Sequence, residues 1–173
     1  MNELDELWLQ IIEKAIAKAE ATGQSDISKY LALKASNDAI RSTGSRWLFD
    51  AFLELSEEVN RQGINLEIES ENPHRFSVGN STMVGTLLKF QLGVRCLTIE
   101  AGWTRTPADG FMRGGALANA RISHFGMSRC NAELSLLMQK DLPEWFSIGE
   151  EGNRSPFDSS KLRKHFQLFL ADE

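Results

Sequence analysis

Residues 63–71 read Gly63-Ile64-Asn65-Leu66-Glu67-Ile68-Glu69-Ser70-Glu71. Ile64, Leu66 and Ile68 alternate with Asn65, Glu67 and Glu69, and a period of two is that of a strand with one buried face. The preceding residues repeat differently. Leu4, Leu7, Trp8, Ile11, Ile12, Ala15 and Ala19 follow the i, i+3, i+4 spacing of an amphipathic helix. Glu3, Asp5 and Glu6 sit in its first turn, where the helix dipole favours negative charge, and Gly23 ends it. After Ser25 and Asp26, either of which can cap, Ile27, Tyr30, Leu31 and Ala35 continue helically to about Arg41. Ser42-Thr43-Gly44-Ser45 interrupts the pattern, and Leu48, Phe52, Leu55 and Val59 mark a third helix with Gly63 at its C′ position.

Beyond residue 71 the chain reads as a meander. Asn72-Pro73-His74 is a turn, Phe76 and Val78 begin a second strand, and Val84, Leu88, Phe90 and Leu92 share a face of a third. Gly93 turns into a fourth, where Leu97, Ile99, Ala101 and Trp103 share a face. Nine of the 13 glycines lie between 63 and 126, as a repeatedly turning chain requires. Thr104 to Gly110 is a loop with Pro-Ala-Asp-Gly turn chemistry. Residues 111–125 read first as a fifth strand, although the alanines also permit a short helix. A hairpin that keeps both apolar faces together needs an odd sum of paired numbers. Trp103 with Met112 meets that condition and places Glu100 opposite Gly115 and diagonal to Arg113. Leu134–Met138 is expected as an edge strand and Trp145–Ile148 as a docking loop. Ser155-Pro156-Phe157-Asp158 then opens a last helix striped by Leu162, Phe166, Phe169 and Leu170, with Ser155 as cap. The expected fold is α+β in one domain, 1–173: a helical layer at 1–62 and a C-terminal helix at 155–171, packed on an antiparallel meander of about five strands at 64–148.

The charge is distributed unevenly. The 173 residues carry −5 overall, but residues 1–71 carry −7, residues 72–129 carry +5 and residues 130–173 carry −3. Six of the seven middle bases are arginines: Arg75, Arg95, Arg105, Arg113, Arg121 and Arg129. Arginine offers a planar fork of donors matched to phosphate and carboxylate. Nucleic acid is disfavoured, because basic runs are absent and acidic segments flank the +5 stretch. The acidic N-terminus is unlike a secretory signal, and no apolar run approaches the roughly 18 residues of a membrane span, so the reading is a cytoplasmic chain without a membrane partner. Cys96 and Cys130, without close Cys or His neighbours, read as free thiols, and neither a metal nor a cofactor is expected.

No sequence motif fixes a reaction. Gly110 and Gly115 have P-loop spacing, but Ala116 and Leu117 stand where a P-loop needs Lys and Ser or Thr. Glu67, Glu69 and Glu71 form a solvated face, and neither Gly79-Asn80-Ser81 nor Gly126-Met127-Ser128 completes a nucleophile elbow. His74 falls in a turn, His165 on the polar side of the last helix, and His124 at the end of the fifth strand, within reach of Ser128 and Cys130. Two functional expectations result. The first is a non-catalytic binding or protein-interaction module, homodimeric through the first helix and its Trp8, or with an acidic protein partner. The alternative is an enzyme or sensor for a small anionic ligand, a phosphate ester or carboxylate, held by loop 103–115. Its ligand-binding residues would be Trp103, Arg105, Arg113, Gly114, Gly115 and His124. As strand residues, Arg113 and Arg121 would lie roughly 27 Å apart and could not share one small ligand.

Overall fold

The computed structural model describes residues 3–21, 23 and 25–171. Helix α1 (Glu3–Ala21) stops where expected, at Gly23 with φ 73°. Helix α2 runs unbroken from Ser25 to Arg61, and the chain divides into two compact units, one up to Thr43 and one from Gly44 on. Within the first unit, Trp8 Nε1 donates to Asp38 Oδ2 at 3.3 Å and Ser28 Oγ to Glu20 Oε1 at 3.3 Å, which sets α1 antiparallel to the start of α2.

The expected break at residues 42–45 does not occur, and the second unit supplies the reason. Gly44 O accepts Trp145 Nε1 at 3.0 Å, and a Cβ on Gly44 would lie 2.8 Å from Leu136 Cδ2. Glycine here permits close packing of helix on sheet, at a helix-propensity cost of about 1 kcal/mol.

The second unit is built on seven strands hydrogen-bonded in chain order, every neighbour antiparallel. They are β1 (Glu67–Val78), β2 (Ser81–Leu92), β3 (Arg95–Trp103), β4 (Ala118–His124), β5 (Ala132–Gln139), β6 (Leu142–Ile148) and β7 (Arg154–Pro156). The α+β reading holds, with seven strands in place of about five. The two expected strands around Pro73 are one: β1 passes through a bulge between Glu71 and His74, which an edge strand tolerates because it needs no inward N–H from proline. Leu134–Met138 lies inside β5, paired on both sides, and Trp145–Ile148 belongs to β6. The β5–β6 turn went unseen because it has no glycine; Lys140 and Asp141 themselves take φ of 47° and 65°.

Register sorts the side chains into two faces. Phe90, Leu97 and His124 lie in one row, and Leu88, Ile99 and Ile122 in the next. This face is covered by α2 from Gly44 onward and by helix α3 (Ser159–Leu170). Phe52, Phe90 and Phe166 meet there with ring centroids 5.8–6.4 Å apart, and Leu48, Phe52 and Leu162 are buried. Helix α3 is capped by Asp158, which accepts Lys161 N at 3.0 Å, and not by Ser155. Ser155 and Pro156 are held in β7, and Phe157 N continues the ladder to Trp145 O, so the helix cannot begin earlier.

The opposite face carries a strap, residues 104–117, where a strand had been expected. Its Ala116 is buried with Leu137 and Phe146, and Met112 packs beside them. Strand β4 starts only at Ala118, so Glu100 lies opposite Arg121 and not Gly115; the odd-sum rule holds, with the register moved by six. Gly85 faces Gly102 across β2 and β3. A Cβ on Gly85 would sit 1.9 Å from Ala101 O, and one on Gly102 would sit 2.6 Å from Val84 O.

Two stability outcomes follow in chemical denaturation. Gly85→Ala and Gly102→Ala each lower the unfolding free energy by about 2 kcal/mol or more, since rigid backbone must give way; a neutral effect contradicts the close approach. Lys140→Asn with Asp141→Gly raises it by about 1 kcal/mol by relieving positive φ in a two-residue hairpin.

Candidate functional site

One line of paired residues on the outer face is charged at every strand but one. Glu71, Glu100, Arg121 and Glu133 come from β1, β3, β4 and β5, with Leu87 of β2 between the first two, and His74 lies beside them. His74 Nε2 meets Glu100 Oε1 at 2.7 Å, and its Nδ1 meets Glu71 Oε1 at 3.2 Å. Opposite His74 stands Gly85, so no side chain blocks the reach to Glu100. Burial works to lower the His74 pKa, but the two carboxylates outweigh it, and the pKa stands above its ordinary value. Arg121 donates to Ser77 O at 2.8 Å, while its contacts with Glu100 and Glu133 are longer, 3.6 and 3.8 Å.

Arg121 also lines a cleft of about 290 Å³ beside this network. Its other polar walls are Arg113 and Gly114 from the strap, Asn119 and Ser135 from the sheet, Glu133, and Arg154 from the start of β7. Val78, Met83, Phe111 and Ile148 supply apolar surface. Three guanidinium groups thus line the cleft with one carboxylate, Glu133, while Glu100 is a second carboxylate beside Arg121. They are placed by separate means: Arg121 by strand alternation, Arg154 by donation to Gly114 O at 3.1 Å, and Arg113 by the strap. The strap is itself tied down by Ser81 Oγ donating to Phe111 O at 2.9 Å and Leu117 N to Leu136 O at 2.8 Å. Among the described residues, no hydrogen bond or ion pair engages the exposed Arg113 guanidinium, which packs at the turn of Gly79.

Of the residues expected in the site, the structure brings Arg113 and Gly114 to the cleft. Trp103 is buried on the helix-covered face, with the Arg105 guanidinium 3.8 Å from its ring centroid and Arg105 Nε donating to Val84 O. Asp109 accepts Arg105 N and Thr106 N, both at 3.0 Å, and these donors hold its carboxyl below its ordinary pKa. Gly115 is in the strap with φ 73° but does not line the cleft. No helix follows the Gly110–Gly115 segment, so the P-loop geometry is absent as its sequence implied. Arg113 and Arg121, expected far apart on one strand, share the cleft because residue 113 is in the strap. Arg154 was missed: it lies in the acidic 130–173 stretch, and only the sheet topology carries it next to Arg113.

His124 takes a different place, beneath α3. Its Nε2 is 3.0 Å from His165 Nδ1, with the rings stacked at 5.3 Å, so His165 is turned inward and not onto a polar helix face. His124 Nδ1 is buried with no hydrogen-bond partner among the described residues. Burial lowers the His124 pKa. Burial and the neighbouring His124 lower that of His165 to about 4.

A histidine with a lowered folded pKa binds its proton more readily when unfolded, so stability is complete above the ordinary value and falls as pH drops. The thermal midpoint is expected to fall as pH is lowered from 6.5 toward 4, and His165→Gln flattens that slope; an unchanged slope contradicts the buried pair. Comparison with known proteins finds no matching family model, and no curated protein or solved structure with significant similarity to the chain.

Proposed function

We propose that the protein is a non-catalytic binding module for a small anionic ligand carrying a phosphate or carboxylate group, and that the cleft between the strap and the outer sheet face receives it. The observation that carries this reading is the convergence of Arg113, Arg121 and Arg154 on one 290 Å³ space. Like charges gathered in a concave site repel one another, and an anion accepting from their forks relieves that repulsion. The apolar wall gives the remainder of such a ligand a dry surface, and Asn119 and Ser135 offer further polar contacts. Neither histidine nor cysteine lines the cleft, and its one carboxylate, Glu133, lies 3.8 Å from the Arg121 guanidinium, which favours binding over nucleophilic chemistry.

Calorimetric titration with inorganic phosphate and with a dicarboxylate such as succinate tests the proposal. At least one binds, and Arg113→Ala weakens it by roughly tenfold or more, in keeping with the loss of a charge-assisted hydrogen bond worth about 1.5–3 kcal/mol. Arg113 is exposed, so its truncation leaves the thermal midpoint without ligand unchanged. Binding that is absent for both anions, or equal in the variant, contradicts the proposal.

A further inference from the structure

We infer that one side of the α1/α2 hairpin is an interface with a second copy of this chain. Among the described residues, the hairpin leaves six large apolar side chains exposed: Leu7 by 55%, Trp8 by 41%, Ile11 by 50%, Ile27 by 49%, Tyr30 by 65% and Leu33 by 61%. Leu7, Trp8 and Ile11 share one stripe of α1 by their spacing. Ile27, Tyr30 and Lys34 share one stripe of α2. The Lys34 ammonium lies 4.8 Å from the Trp8 ring centroid, so the two stripes adjoin along the same side of the hairpin, with Leu33 at the margin.

Area and charge both point to a second copy as the occupant. Side chains of this size at about half exposure present roughly 600 Å² per copy, and two copies facing each other would remove roughly 1,200 Å² from water, the lower edge of stable, specific interfaces. A pair of hairpins also forms four helices, the smallest bundle that encloses such stripes. Residues 1–43 carry seven acids and five bases, a net of −2, so self-association meets little repulsion and an acidic partner gains little attraction. Acids at positions 3, 5 and 6 make the start of α1 negative, whereas Glu13 and Glu20 balance Lys14 and Lys18 in its second half, so a two-fold axis that sets α1 antiparallel to its copy keeps the two acidic ends apart.

Sedimentation of the full chain at micromolar concentration tests this independently of the cleft. The wild type is expected at twice the 19.4 kDa chain mass. Ile11→Glu and Tyr30→Glu each shift it to the single-chain mass, whereas Tyr30→Phe keeps the dimer. Should Ile11→Glu lose helix by circular dichroism, Tyr30→Glu decides, since Tyr30 is the most exposed of the six. A monomeric wild type, which would leave the stripe to another partner or to the chain itself, overturns the inference, as does a dimer that survives Tyr30→Glu.

Discussion

The alternation of side chains along β4 is the constraint on which the site depends. Seven residues divide strictly. Ala118, Ala120, Ile122 and His124 point to the helices, and Asn119, Arg121 and Ser123 point to the outer face. Ala118 and Ala120 are buried on one side, and on the other the same strand offers Asn119 and Arg121 to a cleft. A shift of one residue would bury Arg121 among phenylalanines and expose Ile122, at a cost of several kcal/mol for an unpaired buried charge alone. The register is thus held by both faces at once.

Around this strand, glycine does two kinds of work. Gly85 and Gly102 allow main chains of β2 and β3 to come together where a Cβ would collide, and they leave the path between His74 and Glu100 open. Gly44 lets α2 settle on Leu136 and Trp145. The strap depends on a small second core of Ala116, Leu137 and Phe146 on the outer face, so the position of Arg113 rests on apolar packing. The arginine fork is oriented by residues with no charge of their own.

Much of this was legible along the chain. The stripe Leu48, Phe52, Leu55, Val59, the stripe Leu162, Phe166, Phe169 and the alternation in β2 and β3 are local, repeated and unopposed, and they appear in the structure as read. What escaped depended on partners distant in sequence. Residues 111–117 alternate like a strand, but Ala116 finds Leu137 and Phe146 while Leu117 finds Leu136, and the segment folds as a strap. Pro73 looks like a turn until β2 pairs on both sides of it. The charge split singled out residues 72–129 and with them Arg113 and Arg121. Arg154 lies 41 residues past Arg113 in an acidic context, and His124 meets His165 across the same number of positions. Linear charge counting registers neither, because the strap and β7 make the first juxtaposition on the outer face of the sheet, and α3 makes the second on the other.

We propose that Arg113, Arg121 and Arg154 act as one anion site. The most direct measurement is nuclear magnetic resonance of the arginine Nε–Hε groups during titration with inorganic phosphate and succinate. Saturable shifts of Arg113, Arg121 and Arg154 with a common dissociation constant are expected, while Arg105, held on Trp103, stays in place. Shifts spread evenly over surface arginines, or none at these three, would contradict it.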